Sequence, residues 1–276
     1  MSDVKHDPGV SIIIPAFNEE QRLPHTLSEI QRHGATLAKD FEVIVVDDGS
    51  TDGTVDLVYG RAATMPWLTV LERPHRGKGA AVRAGMLAAR KEKVILCDAD
   101  LSMPIEQFAR LIEVLDRGYD VAVGSRSLPS SRLYHDPLRR RIMSRVFSLL
   151  VQALVLRGVH DTQCGFKAFR RDIAHDLFSR QRLDGFSFDA EVLLLAQKQG
   201  YRIEEVAIDW YFDADSRVHA ARDTVQMVLD LLRIRIQTLL GAYRYPVVTH
   251  AVLDTRATDM VHMPLEATAT AVRHAE

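Results

Sequence analysis

Only two cysteines, Cys97 and Cys164, occur in the 276 residues, and they form no C-x-x-C pair. This excludes a disulfide framework and a cysteine-built zinc site, and it favours a reducing compartment. No run of about eighteen uncharged apolar residues is present, so no segment reads as a membrane-spanning helix. Residues 1–9 also lack the apolar core of an export signal, and the expectation is a cytoplasmic protein. The net charge of −2 shows no excess of either sign, which argues against a general nucleic-acid binder. Glycine-rich phosphate loops are missing too. The first apolar run ends in Pro15-Ala16-Phe17, so no dinucleotide fingerprint can form there. Gly77-Lys78-Gly79 has Glu72 where a phosphate loop needs glycine and Gly79 where it needs Ser or Thr. It reads instead as a tight turn whose Lys78, or neighbouring Arg76, faces phosphate.

What is present is an alternation. Short β-branched runs at 10–14, 42–46, 68–71, 93–97 and 120–123 read as strands, and 19–32, 53–61, 79–90 and 105–117 between them read as helices. Such alternation predicts an α/β fold with a mainly parallel sheet covered on both faces. Ligands of these sheets sit beyond the carboxyl ends of the strands. Here those ends carry Pro15 to Glu19, Asp47-Asp48-Gly49-Ser50, Glu72-Arg73, Asp98-Ala99-Asp100 and Gly124-Ser125-Arg126. Asp98 and Asp100 follow a run that reads as buried, where two carboxylates are costly unless a positive group joins them. Mg²⁺ or Mn²⁺ carrying a phosphate meets that need, because these ions combine a few carboxylates with water and phosphate oxygens.

Beyond Arg126 the pattern changes. A polar loop at 129–137 leads to Arg139, Arg140, Arg141 and Arg145, and 146–156 is almost wholly apolar. A second helix at 225–240 repeats the combination, with Arg222, Arg233, Arg235 and Arg244 around Leu229, Leu232, Ile236 and Leu239. Both are too short to span a bilayer and suit helices lying on one, with arginines among the headgroups. The expected organisation is a flexible N-terminus at 1–9, a nucleotide-sugar half at 10–128, an acceptor half at 129–245 and a flexible tail at 246–276.

Three stretches, Ser11-Ile12-Ile13-Ile14-Pro15-Ala16-Phe17-Asn18-Glu19, Val46-Asp47-Asp48-Gly49-Ser50-Thr51-Asp52 and Asp98-Ala99-Asp100, resemble the signatures of family 2 inverting glycosyltransferases of the GT-A fold. Gly77-Lys78-Gly79, Gly124-Ser125-Arg126, Asp161-Thr162-Gln163-Cys164-Gly165-Phe166-Lys167 and Gly185-Phe186-Ser187-Phe188-Asp189 with Glu191 resemble the dolichyl-phosphate glucose synthase branch. The resemblance extends over residues 10–240.

It implies a metal-dependent hexosyltransferase that moves glucose from UDP-glucose to a polyprenyl or dolichyl phosphate. A GDP-mannose donor, a soluble hydroxyl acceptor and a non-catalytic nucleotide-sugar scaffold are the alternatives. Pro15, Ala16, Phe17, Glu19 and Asp48 would hold base and ribose, while Asp47 orients its turn. Asp98 and Ala99 would meet ribose or sugar, and Asp100, with Ser102, would ligate Mg²⁺ or Mn²⁺. Lys78 and Gln163 complete the expected substrate contacts. A lipid monophosphate is already anionic, so it needs arginines for steering more than a base. The candidates are Arg126, Arg139, Arg141 and Arg217. Asp189 is the base if the acceptor is a hydroxyl, and positions the donor sugar if it is a phosphate. Asp189 and Glu191 are spaced to point to different faces of a helix start. Cys164 reads as a packed small residue, and Trp210 and Tyr211 as sugar-stacking or packing surfaces. Peripheral contact with the inner face of a membrane is expected, no nucleic acid is, and a homo-oligomer is left open.

Overall fold

The computed structural model describes residues 9–212 and 220–244. Residues 1–8 of the expected N-terminal segment, the tail and Arg217 lie outside the described residues. Each strand read from the sequence is found, with its ends shifted by at most two residues: β1 (Val10–Ala16), β2 (Phe41–Asp47), β3 (Leu68–Glu72), β4 (Lys93–Leu96) and β5 (Val121–Ser125). The helices between them are α1 (Leu23–Leu37), α2 (Thr54–Ala62), α3 (Lys78–Ala88) and, after a 3₁₀ turn at Ile105–Gln107, α4 (Phe108–Asp116). Then come β6 (Arg132–Tyr134), α5 (Leu138–Leu154), β7 (Lys167–Arg170), α6 (Arg171–Arg180), α7 (Phe188–Lys198), β8 (Ile203–Ala207), β9 (Asp209–Tyr211) and α8 (Ala220–Leu239).

Seven strands form one sheet in the order β3-β2-β1-β4-β7-β5-β8, and β6 pairs with β9 in a separate ribbon. Alternation along β1 explains the two covered faces: Ile13 enters one core, while Ile12 and Ile14 enter the other. β4 divides in the same way, with Val94 and Leu96 on one side and Ile95 and Cys97 on the other. The chain moves outward from β1 to β2 and β3 on one side and to β4 on the other. This is the switch point at which such sheets open a crevice.

The one reversed strand is β7, antiparallel to both β4 and β5. Its register pairs Leu96 with Lys167, so β7 begins where β4 ends. The 161–166 loop is thereby delivered to the acidic pair that follows β4. Strand propensity in Lys167–Arg170 is too short a signal to read from the sequence.

Candidate active site

The turn after β4 is held from two sides. Thr26 of α1 donates its hydroxyl to the Ala99 carbonyl at 2.6 Å, and the Leu101 N–H returns to the Asp98 carbonyl at 3.2 Å with Leu101 in the left-handed region at φ 46°. Asp98 Oδ1 lies 2.6 Å from Lys78 Nζ. Burial works against both charges, but the Lys78 ammonium holds the Asp98 carboxyl below its usual range, and Asp98 with Asp189 raises the Lys78 pKa. Asp100 differs. Burial, and then the neighbouring Asp98 charge, push its pKa up, and it accepts the Ser102 N–H at 3.0 Å. The pair therefore divides into one carboxylate already neutralised by a lysine and one with surplus negative charge.

That division decides how a metal would sit. Among the described residues no three His, Cys, Asp or Glu side chains gather to hold an ion by themselves. Asp100 would supply one hard oxygen ligand, and an ion there would draw its remaining ligands from water and a diphosphate, which is how Mg²⁺ and Mn²⁺ are usually held at phosphate sites. The donor set fits that group. Ser102 donates its N–H to Asp100 and its carbonyl accepts the Tyr211 N–H at 2.8 Å, so its backbone shapes the turn.

Gly165 explains how closely the β7 side approaches. A Cβ at this position would stand 1.8 Å from Asp98 Oδ2. Gly165→Ala must therefore move the Asp98 carboxylate, and a displacement of about 1 Å at a positioned group costs on the order of 100-fold in rate. The expected result is a kcat about two orders of magnitude lower in steady-state assays. The same loop leaves Gln163 Nε2 and Thr162 Oγ1 buried without hydrogen-bond partners.

Lys167 was not among the expected contact residues, yet it organises this side. It is 1 % exposed, its Nζ lies 2.6 Å from Asp189 Oδ1, and it donates to the Cys164 carbonyl at 2.5 Å. Burial raises the Asp189 pKa, opposed by Lys167 and Lys78. The Lys167 ammonium on one of its oxygens fixes where the Asp189 carboxylate stands. Glu191, two residues on, turns away from Asp189 as the spacing predicts: it accepts N–H bonds from Arg182 and Leu183. Burial and the nearby Asp161 charge push the Cys164 thiol up to about 12, which fits packing and not nucleophilic attack.

On the nucleotide side, Asp47 receives the N–H groups of Gly49 and Ser50 and so orients its turn. Asp48 is only 3 % exposed; its two oxygens accept the Arg76 and Gly77 N–H groups at 2.9 Å each, and His75 Nδ1 is 2.8 Å from Oδ2. Its first task is thus to build the turn that carries Lys78. Glu19 pairs with Arg22 at 2.6 Å, and its N–H donates to Thr54 Oγ1 at 2.7 Å. Phe17 stacks on His75 with ring centroids 4.3 Å apart, and both rings reach the surface. His75 carried no sequence signal of its own; it is found by the stack. Pro15 and Ala16 are the last two residues of β1, and Ala16 lies opposite Asp47.

Arg126 is bound bidentately by Asp161, with both bonds at 2.8 Å, and its N–H donates to the same carboxylate at 2.8 Å. Asp161 raises the Arg126 pKa despite burial, and Arg126 lowers that of Asp161. Of the basic run opening α5, Arg139 and Arg141 are exposed, and Arg140 is the one that turns inward. Its guanidinium lies 4.3 Å from the Trp210 ring centroid, and that of Arg126 lies 5.6 Å from it. Helix phase, which a run of three arginines conceals, leaves Arg139 and Arg141 at the surface and gives the inward position to Arg140. Burial and Arg126 lower the Arg140 pKa, the mark of two cations crowded together. Their nearest acids are unequal, since Asp136 Oδ1 is 3.8 Å from Arg140. An arginine pair over an indole, with the Arg140 guanidinium held less closely by its acid than that of Arg126, suits an anion. Tyr211, in contrast, stacks on Tyr134 at 4.5 Å and packs the ribbon.

A mainly parallel sheet with an acidic pair at its switch point, opposite a lysine and a pair of arginines, defines a GT-A transferase fold. The family model described as Glycosyl transferase family 2 matches residues 11–178, and the chain belongs to that family of enzymes. It is 36% identical over 250 residues to the dolichyl-phosphate beta-glucosyltransferase of Drosophila melanogaster, covering 85% of this chain and 77% of the relative. The Homo sapiens protein of the same name is 34% identical over 257 residues, with 85% and 77% covered. Among solved structures, glucosyl-3-phosphoglycerate synthase from Mycobacterium tuberculosis in complex with phosphoglyceric acid superposes with a TM-score of 0.63 at 20% identity, covering 83% of this chain and 80% of that one. The same enzyme with Mn²⁺, UDP-glucose and phosphoglyceric acid gives 0.61 at 19% identity, with 83% and 79% covered. At such identities the likeness establishes the fold.

Proposed function

We propose that this protein transfers glucose from UDP-glucose to a dolichyl or other polyprenyl phosphate with inversion at the anomeric carbon. The observation that carries the reading is the 33–36% identity, over 85% of this chain, to proteins named dolichyl-phosphate beta-glucosyltransferase. A β-linked product from an α-linked sugar nucleotide requires attack from the face opposite the leaving group. One phosphate oxygen forms the new bond to the anomeric carbon as the bond to UDP breaks, and no proton need be removed from the acceptor. Asp189, occupied by Lys167, then holds the donor sugar instead of serving as base. Phe17 and the residues around Pro15, Ala16 and Glu19 wall the base and ribose, and Asp48 offers its remaining lone pairs there. Asp98, Ala99, Lys78 and Gln163 line the sugar and diphosphate. Asp100, with the Ser102 turn, would hold Mg²⁺ or Mn²⁺, which supplies Lewis-acid stabilisation of the departing diphosphate.

Arg126 and Arg140 form the site for the acceptor phosphate, with Asp161 fixing the first fork and Trp210 supporting the second. A charge-assisted hydrogen bond contributes about 1.5–3 kcal/mol. Arg140→Met is therefore expected to raise the acceptor KM at least about tenfold while the donor KM changes little.

The acceptor's lipid needs a surface, and α5 provides one. This helix of 17 residues buries Val151 and leaves Leu138, Ile142, Val146 and Leu149 exposed beside Arg139, Arg141 and Arg145. α8 packs on α5 and exposes Leu229, Leu232, Ile236 and Leu239. Among the described residues no helix is long and apolar enough to cross a membrane. An apolar face flanked by arginines suits shallow insertion between anionic headgroups, and we place it at the cytoplasmic side because Cys97 and Cys164 are both free thiols. The donor reading is tested by offering labelled UDP-glucose and GDP-mannose separately with dolichyl phosphate. Transfer from UDP-glucose supports it, and preferential transfer of mannose overturns it.

A further inference from the structure

Glu191 is fully buried, and its bonds run to partners other than those of Asp189. Its carboxylate accepts the Arg182 N–H at 3.1 Å, the Leu183 N–H at 2.8 Å and the Tyr243 hydroxyl at 2.7 Å. The Gln237 side-chain amide lies 2.9 Å from the same hydroxyl. Arg182 closes the arrangement from the other end: its guanidinium stands 5.4 Å from the Tyr243 ring centroid and donates to the Ala242 carbonyl at 3.0 Å. The last turn of α8 and the residues just after it are thus fastened to the segment 181–187.

That segment also cradles the start of α3. Gln181 Nε2 donates to the Gly79 carbonyl at 2.9 Å, and Ala80 N–H donates to the Asp184 carbonyl at 3.1 Å. The Asp184 carboxylate joins Arg76 at 2.6 Å and Arg83 at 3.0 Å. Both glycines flanking Lys78 are required by this approach: a Cβ at Gly77 would stand 2.7 Å from the Asp184 carbonyl oxygen, and one at Gly79 would stand 2.8 Å from that of Gly185. Gly77 also has φ 118°, which side chains rarely adopt. Lys78 therefore meets Asp98 from a backbone whose position is set by residues 181–187.

We infer that Glu191 and Tyr243 are positioning residues of the donor site, clamping segment 181–187 between the end of α8 and the first turn of α3 and so setting Lys78 against Asp98. An apolar residue at 191 would fill the same core, but it would strand two N–H donors and a hydroxyl, which is the reason for an acid here. The clamp is made by Tyr243, four residues past the end of α8. This inference rests on the donor reading above.

The test uses the full chain and two variants, Glu191→Gln and Tyr243→Phe, titrated calorimetrically with UDP in the presence of Mg²⁺ and followed in steady-state assays. Coupling between sites is commonly worth fivefold or more in affinity. Both variants are expected to weaken UDP binding and raise the donor KM about fivefold, with the acceptor KM unchanged. The double variant should be no weaker than Glu191→Gln alone, since the two residues act through one contact. Tyr243→Phe removes a single hydroxyl and keeps the question decidable if Glu191→Gln folds poorly. Folded Tyr243→Phe protein that binds UDP as the wild type does, with at most a lower Tm, makes the pair merely structural and overturns the inference alone. Wild-type protein that binds no UDP overturns the donor reading and this inference together.

Discussion

Asp100→Asn is expected to lower kcat by about 10²–10³-fold or more, and to do so without weakening the fold. The two halves of this expectation have one origin. Asp100 is the acid whose charge is in surplus, its pKa raised by burial and by Asp98. A carboxyl whose folded pKa is raised opposes folding while it is ionised, so the opposition is full above the raised value and fades as pH falls through it. The neutral amide removes that opposition, and near neutral pH the variant should have an unchanged or higher Tm. The Tm difference should disappear in acid, where both proteins are neutral at this position. In the proposed function the amide would remove a hard anionic ligand, and added Mn²⁺ should recover little activity. An inactive variant that also unfolds several degrees earlier would contradict this account, because Asp100 would then be a structural acid.

Lys167→Met is the second large effect, and it falls on stability. Lys167 is 1 % exposed and Asp189 is 5 % exposed, so removing the ammonium leaves a buried carboxylate without its partner. Breaking such a pair costs about 3–5 kcal/mol. Replacing both members by apolar residues of similar size is commonly neutral or stabilising, so Lys167→Met/Asp189→Leu should recover most of that loss. Urea denaturation of the three proteins measures this directly. The double variant should fold well and transfer no sugar, which separates what Asp189 does for the fold from what it does in the site. A single variant as stable as the wild type would mean that the pair is not the buried, mutually dependent unit described here.

Elements made of long periodic runs were legible in the sequence. β1 to β5 and the helices between them follow from β-branched runs and amphipathic spacing, and the strand-end rule led directly to Asp98 and Asp100. What escaped was set by long-range packing. β7 is four residues long and gains its place only by pairing between β4 and β5, so neither its reversal nor the buried role of Lys167 could be read locally. Arg140 was hidden between Arg139 and Arg141 because charge alone carries no helix phase. Arg126 was picked out by its place at a strand end, but not its bidentate pairing with Asp161, 35 positions away along the chain. Asp189 and Glu191 show the opposite case: their spacing on a helix start predicted different faces, and one meets Lys167 while the other meets the N–H groups of 182–183 and the Tyr243 hydroxyl.

The central claim, that UDP-glucose meets a lipid phosphate at the Asp98–Asp100 site, is tested most directly by a competition between acceptors. Purified protein is given labelled UDP-glucose and Mg²⁺ or Mn²⁺ with a short polyprenyl phosphate, with 3-phosphoglycerate, with both, or with neither, and each mixture is repeated with chelator. The account predicts a β-linked glucosyl lipid phosphate formed only where the lipid is present and lost on chelation. Equal transfer to 3-phosphoglycerate, or donor consumption that needs no lipid and survives chelation, would contradict it.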